Sequence, residues 1–487
     1  MSIVQPAEAE SPQQWYRDGR AAVERAKALR PIEGRAKNVI LFLGDGMSVT
    51  TVTAARIFEG QLRGESGEEN ELSFERLPYT ALIKTYETDA QTADSAGTMT
   101  AIVTGVKTRS GHLSVNQNVE PGDHTAAAGN NLVTILELAE KAGLATGVVT
   151  TTRITHATPA ACYAHSPARD WEDDSALPPA AKAAGFSDIA RQLAEFAIGD
   201  GIEVVLGGGR ANFLPHSMPD PEYPDKKGRR KDGKDLTERW SRLGSVYAWN
   251  AKQFAEIDVS KVEHVLGLFE PSHMQYEHDR SKDKGGEPSL SEMTAKAIEM
   301  LSRNPKGFFL MVEGGRIDHA HHAGNAFRAL SDTVEFARAV QVARDKTRRE
   351  DTLMIVTADH SHVFTMAGYP IRGNPILGKV EEVDQTIKHT KSTSRDKNGL
   401  PYTTLGYANG PGYVPGSRPD LSNTDTAASD YRQECTIPLE SETHSGEDVP
   451  LYADGPQAHL FRGVLEQNVV FHVMAEALGL VDAAAEP

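Results

Sequence analysis

The densest chemistry in the chain lies in Glu313-Gly-Gly-Arg-Ile-Asp318-His319-Ala-His321-His322. These acids and imidazoles fall where an apolar run, Gly307-Phe-Phe-Leu-Met-Val312, comes to an end. Asp318 and His322 are spaced i, i+4, so a helix would put both on one face. Carboxylate plus imidazole suits zinc or a similar borderline metal. A polar turn leading into a solvated helix would explain one such cluster. A second, Thr357-Ala-Asp359-His360-Ser-His362, also follows an apolar run, Leu353-Met-Ile-Val356, and argues against that plainer reading.

Further candidates are weaker one by one. Asp45, in Leu43-Gly-Asp-Gly-Met47, is by itself a turn signal. Beside two metal-type clusters it becomes a candidate ligand, because flanking glycines allow the backbone to come close. Thr92-Ala-Asp94-Ser95-Ala-Gly-Thr98 opens a helical segment. Ordinary capping accounts for Asp94 or Ser95 there. A nucleophilic serine at a helix N-terminus, where the dipole favours an anion, accounts for them equally. No Gly-x-Ser-x-Gly surrounds Ser95, so a metal, in place of a histidine base, would have to activate the hydroxyl. His156-Ala-Thr158-Pro and Arg169 come next, the arginine being a natural bidentate clamp for phosphate or sulfate. Glu442-Thr-His444 adds a late histidine, and Gly207-Gly-Gly209 reads as a tight turn.

Five apolar runs could position these residues: Asn38 to Leu43, Ala145 to Thr151, Ile202 to Leu206, Phe308 to Val312 and Leu353 to Val356. Helical patterns separate or flank them at Asn131 to Lys141, with Gly143 as its stop, at Ser187 to Ala197, at Ser291 to Arg303 and at Asn325 to about Arg344. A capped helix, Gln13 to Leu29, precedes them all. This alternation predicts an α/β fold, a large and mainly parallel sheet sandwiched by helices. Each polar cluster follows a strand, and an open parallel sheet binds ligands at the carboxyl ends of its strands. Two stretches break the rhythm, Pro215 to Asp235 and Gly373 to about Arg432, and read as insertions on the functional edge.

Composition narrows the class. The formal net charge of −17 argues against a nucleic-acid partner. The basic run Lys226 to Lys231 reads as a solvated loop. Cys162 and Cys435, the two cysteines, read as free thiols and exclude a disulfide framework. No apolar run is long enough to span a membrane. Met1 to Glu10 lacks the basic and apolar parts of a signal peptide, a pattern that a leader already removed would also leave.

Together these residues resemble the alkaline phosphatase family, its vertebrate-type branch in particular. The resemblance runs from Ala36 to Leu460. It rests on Phe-Leu-Gly-Asp45-Gly, Asp94-Ser95-Ala, Thr152-Arg-Ile-Thr-His156-Ala-Thr158-Pro, Glu313-Gly-Gly-Arg-Ile-Asp318-His, Thr-Ala-Asp359-His360-Ser-His and Glu-Thr-His444. It implies a phosphomonoesterase working through a phosphoserine on Ser95, with Arg169 gripping phosphate. One zinc would take Asp318, His322 and His444; a second Asp45, Asp359, His360 and the Ser95 oxygen; a magnesium Asp45, Thr158 and Glu313. His156 and His319 would stand behind the metal ligands. A calcium would take Glu222, the Phe269 carbonyl, Glu270 and Glu287, in a loop longer than the family's, where Asp283 competes for the last place. The resemblance also implies a homodimer, with Tyr369 reaching the partner's entrance, and a periplasmic or secreted location. The implied layout is an N-terminal arm (1–35), an α/β domain (36–372 and 433–487) with an insertion at about 211–290, and a crown-like subdomain (373–432). The branch's disulfide cysteines and a lipid-anchor signal are absent, so membrane attachment is not expected. A phosphodiesterase or sulfatase on a similar sheet is the alternative. The set Asp45/Thr158/Glu313 with Arg169, which suits a phosphate dianion, favours the monoesterase.

Overall fold

A computed structural model describes residues 11–242, 244–383 and 391–481. Met1 to Glu10 and the tail from residue 482, on which the leader and anchor expectations bear, lie outside the described residues. In chain order the main strands are β1 (Asn38–Leu43), β2 (Tyr79–Lys84), β3 (Ala145–Arg153), β4 (Val204–Gly208) and β5 (Val246–Ala248). They continue with β6 (Val265–Leu268), β7 (Phe308–Glu313), β8 (Thr352–Thr357), β9 (Val449–Asp454) and β10 (Gly463–Glu466). They form a single sheet in the order β10-β2-β9-β8-β1-β7-β3-β4-β6-β5. Among the described strands of this sheet, β9 alone runs against the rest. The central strands are apolar without alternation because both faces are covered: β7 and β8 are buried throughout.

Register explains why distant polar residues meet. Leu43 at the end of β1 lies level with Glu313 on β7 and Thr357 on β8. Thr150 on β3 pairs with Glu313 in turn. The residues that leave these strands, Asp45, Glu313 and Asp359, therefore emerge along one line.

The flanking helices are α1 (Pro12–Ala28), α2 (Val49–Leu62), α3 (Ser95–Thr104), α4 (Ile135–Ala142), α5 (Leu290–Leu301), α6 (Arg316–His322), α7 (Ala326–Lys346) and α8 (Val469–Leu478). α4 begins with a capping box from Thr134 and Glu137 and ends at Gly143, in the left-handed conformation foreseen for a stop. α1 is capped by Ser11 and buries none of its side chains.

The 211–290 stretch, read as an insertion within the α/β domain, supplies the edge strands β5 and β6. One expectation needs correction. Lys226 to Lys231 is not wholly solvated. Arg230 is buried, with bonds of 2.9 and 3.0 Å to Asp188 and an ion pair to Asp232. β2, β9 and β10 escape the sequence pattern because β2 and β10 are partly exposed and β9 contains Pro450.

Opposite the polar clusters, at the start of β3, the buried Glu140 and the half-buried Glu203 share Thr146. Its hydroxyl bonds Glu140 and its N–H donates to Glu203 at 2.7 Å. Burial pushes Glu140 up to about 7 and Glu203 up to about 8, with Asp200 adding to both. Acids raised in the folded state stabilise it below their unfolded value, and that contribution is lost as pH rises through the folded values. The melting temperature should fall between about pH 4.5 and 8 through these groups. Glu140→Gln should flatten that decline in a thermal melt series; an unchanged slope would count against it.

Candidate metal centre and nucleophile

Asp318 and His322 sit one turn apart on α6, as their spacing predicts, with Oδ1 3.3 Å from Nε2. His444 reaches the same oxygen at 3.4 Å and stands 3.1 Å from His322, Nε2 to Nε2. His444 arrives on a two-residue antiparallel ladder, His444–Ser445 against Ser361–His362. The Nδ1 atoms of His322 and His444 lie 2.6 and 2.7 Å from the carbonyls of Glu442 and Ala93. An Nδ1–H donated there leaves Nε2 as the lone pair that faces the cluster.

Asp45, Asp359 and His360 form the adjoining group. His360 Nε2 lies 3.4 Å from Asp45 Oδ1, 3.3 Å from Asp359 Oδ2 and 3.1 Å from Ser95 Oγ. Asp359 Oδ1 accepts the N–H groups of Gly46 and His360, both at 3.0 Å, while Oδ2 has no hydrogen-bond partner. Gly46 is required twice over. Its φ is +68°, and a Cβ would come within 2.3 Å of His362 Nε2.

On the far side of Asp45 stand Glu313 and Thr158. Glu313 Oε2 accepts from the hydroxyls of Thr150 and Thr152. Glu313 Oε1, Thr158 Oγ1 and both Asp45 oxygens are buried without hydrogen-bond partners. His156 brings a nitrogen into the same neighbourhood as Asp45 and Glu313. Burial first, then Asp318, Asp359 and Glu313, pushes the Asp45 carboxyl up. Burial raises Asp359 also and takes Glu313 up to about 7. For Asp318 burial opposes ionisation, but His322, His362 and His444 hold it well below the usual range. Free oxygens on crowded buried acids fit cations, and the donor chemistry divides: imidazole with carboxylate around Asp318 and His360, chiefly oxygen around Thr158 and Glu313, with the His156 nitrogen beside them.

Ser95 is the first residue of α3, which is buried along its whole length. Asp94 caps it: Oδ1 accepts from Ala96 and Gly97 at 3.1 and 3.0 Å. Oδ2 accepts from Gly111 N–H and Arg169 Nη1, both at 3.0 Å. One carboxylate thus holds the helix of the candidate nucleophile and the candidate phosphate clamp together. Arg169 Nη2 also donates to His156 Nε2 at 3.2 Å. His319 packs against His156 with ring centroids 5.5 Å apart, and its Nδ1 accepts from Arg316 at 3.1 Å.

Two residues gain a role the sequence reading did not give them. His362 lies between Asp318 and Glu442, 2.8 and 2.6 Å away, and these acids raise it to about 10 against the effect of burial. His-x-His in an extended segment puts His360 and His362 on one side, a signal present in the sequence. Glu442 is buried, and its other oxygen accepts the Val363 N–H at 2.8 Å. His273 was also missed. It packs at 4.1 Å on His319, beside Arg153.

A separate acidic group gathers Glu222, Glu270 and Asp283. Tyr223 O–H reaches both Glu270 and Asp283 at 3.2 Å. Glu287 is not in this triad. Its Oε1 accepts the Gln275 N–H at 2.8 Å, and Gln275 in turn donates to Glu270 at 2.7 Å. Tyr369 is 87% exposed, clear of the site's own chain.

Similarity to known proteins agrees with this geometry. Residues 36–480 match the family model described as alkaline phosphatase. The tissue-nonspecific alkaline phosphatase isozyme of Gallus gallus is 47% identical over 97% of this chain and 90% of its own length. An alkaline phosphatase of Gadus morhua is 45% identical over 97% of this chain and 98% of its own. The crystal structure of Thermus thermophilus alkaline phosphatase superposes with a TM-score of 0.65 at 27% identity, over 93% of this chain and 94% of that one. With the metal-type clusters, the serine and the arginine converging at one sheet edge, the chain belongs to the alkaline phosphatase family of metal-dependent phosphomonoesterases.

Proposed function

We propose that Ser95 is the covalent nucleophile of phosphate monoester hydrolysis and that Arg169 binds the transferring phosphoryl group. The observation that carries this reading is the 3.1 Å approach of Ser95 Oγ to His360 Nε2, at the start of a capped, buried helix. The helix N-terminus favours negative charge on the hydroxyl oxygen and on phosphate. Ser95 Oγ attacks phosphorus, and the ester oxygen leaves as the alcohol after taking a proton. Water then attacks the phosphoserine, releasing inorganic phosphate and restoring the hydroxyl. Arg169, held by Asp94, presents its guanidinium to charge that builds on the phosphoryl oxygens.

Asp318, His322 and His444 would hold one zinc, and Asp45, Asp359 and His360, with the Ser95 oxygen, a second; Asp45, Thr158 and Glu313 would hold magnesium. When bound, these ions supply positive charge at the attacking and leaving oxygens. Ser95→Ala should cut turnover by about a thousandfold or more. Chelation should abolish activity on a nitrophenyl monoester and lower the melting temperature, with zinc plus magnesium restoring both. A phosphorylated serine elsewhere in Ser95→Ala, or faster turnover of the diester than the monoester, would overturn the reading.

The group Glu222, Glu270 and Asp283, with the Phe269 carbonyl, supports a calcium site, with Glu287 one contact behind it. Burial raises Glu222, Glu270 (up to about 7) and Glu287 (up to about 9), so the set carries acids that a cation would relieve. Calorimetry with calcium should show binding lost in Asp283→Asn and retained in Glu287→Gln. The opposite pattern would return the fourth position to Glu287.

The exposed Tyr369 and the unburied α1, with Trp15 57% and Tyr16 69% exposed, support a homodimer in which each subunit shapes the other's entrance. The family resemblance supports a periplasmic or secreted location; no helix among the described residues is long and apolar enough to cross a membrane. Tyr369→Ala should alter substrate affinity or turnover, and deleting residues 1–30 should weaken association. A monomeric mass by light scattering at full specific activity would rule out the dimer.

A further inference from the structure

The arginines Arg169, Arg153 and Arg328 are each tied to an acid. Asp94 holds Arg169 at 3.0 Å, the two oxygens of Glu172 hold Arg153 at 2.7 Å, and Asp279 holds Arg328 at 2.7 Å. Arg316, the first residue of α6, is different. It is half-buried and pairs with no carboxylate among the described residues. Its Nε is buried without a hydrogen-bond partner, and its Nη2 bonds no protein group yet is not closed off from solvent. Asp332 feels its charge from beyond ion-pair distance, and the Asp332 oxygens take the Glu277 N–H at 3.4 and 3.2 Å. Asp318, two residues on, turns its Oδ1 to His322, His362 and His444.

This guanidinium is also held in place. Its Cζ lies 3.8 Å from the centroid of the Tyr276 ring, and Nη1 donates to His319 Nδ1 at 3.1 Å. His319 lies three residues on, along the same face of α6. It packs at 5.5 Å on His156, which accepts from Arg169 Nη2 at 3.2 Å. A line of side chains therefore runs from the phosphate clamp to a second, unpaired guanidinium. A cation fixed by a ring and a bond has little freedom left to lose when an anion docks. In a chain of net charge −17, which repels anions at long range, such a group has its effect close to the site.

We propose that Arg316 is a substrate-binding residue that takes a second anionic group, such as a carboxylate, carried on the alcohol side of the phosphate ester. The scissile phosphoryl group lies at Arg169 and the second anion meets Arg316 Nη2. The enzyme then prefers monoesters with two anionic ends over esters of neutral alcohols. This rests on Arg169 being the phosphate clamp, as proposed above.

The test compares phosphorylated ω-hydroxyalkanoic acids of increasing chain length with alkyl phosphates of matching length, hydrolysed by the zinc- and magnesium-loaded enzyme. At one length the acid should exceed its alkyl partner about tenfold in kcat/KM. The gain should lie in KM, because the contact is made as well in the bound substrate as in the transition state. Arg316→Met, which keeps an unbranched side chain without charge, should bring that ratio to about one. Arg316→Gln, which keeps a donor for His319 but no charge, should do the same, and it decides alone should the methionine variant not fold. Reading a ratio cancels any general loss of turnover. A wild type with no preference at any length, or a preference that survives in Arg316→Gln, would overturn the proposal. Arg169→Lys should weaken acid and alkyl esters together and leave their ratio. Undiminished affinity for inorganic phosphate in that variant would instead sink the clamp reading on which the proposal stands.

Discussion

Four buried carboxylates, Asp45, Glu313, Asp318 and Asp359, crowd together at the carboxyl ends of the central strands, and several of their oxygens have no partner in the protein. The rest of the site depends on that crowding. Protein N–H and O–H groups satisfy only one side of Asp359 and of Glu313. A buried acid left this way is costly unless it is protonated or neutralised by a cation. The sheet register forces the acids together, so the fold itself creates the demand that cations meet. Stability and chemistry are thereby tied to the same ions, and neither can be tuned without the other.

Beside that charged cluster, Asp94 joins two functions that must keep a fixed relation. It caps the helix that begins at Ser95 and holds the guanidinium of Arg169. The proposed nucleophile and clamp, hung from one carboxylate, move together. A change at either end is then felt at the other, which is why the packing behind Asp94 matters as much as the groups that face substrate.

Much of this was legible in the residues. Asp318 and His322 announced a shared helix face, and the strand-like runs before Asp45, Glu313 and Asp359 implied a common edge. What failed did so for physical reasons. β9 carries a proline and runs against its neighbours, so no βαβ pattern marks it. Arg230 sat in a run of bases that read as solvated, yet it was buried by a partner, Asp188, that lies 42 residues away. Glu287 was read by resemblance in a loop that departs from the family's pattern, with Asp283 as its competitor; Asp283 lies with Glu222 and Glu270, while Glu287 accepts the Gln275 N–H. His362 illustrates the general limit: its neighbour Asp318 could be guessed, but not that Glu442 would take its other nitrogen.

The ladder that pairs His362 with His444 is two residues long on each side, and the whole 373–432 excursion lies between them. Closing a longer excursion costs only a slowly rising entropy, growing with the logarithm of its length. The outer parts of the excursion can therefore be lengthened or shortened with little effect on where His444 arrives, provided both ends keep the ladder and Tyr407 keeps its bond to His321. That makes the region a place where lineages can diverge, and where a protein engineer can graft a new surface. The ladder acts as a hem between the metal-type cluster and the elaboration that hangs from it.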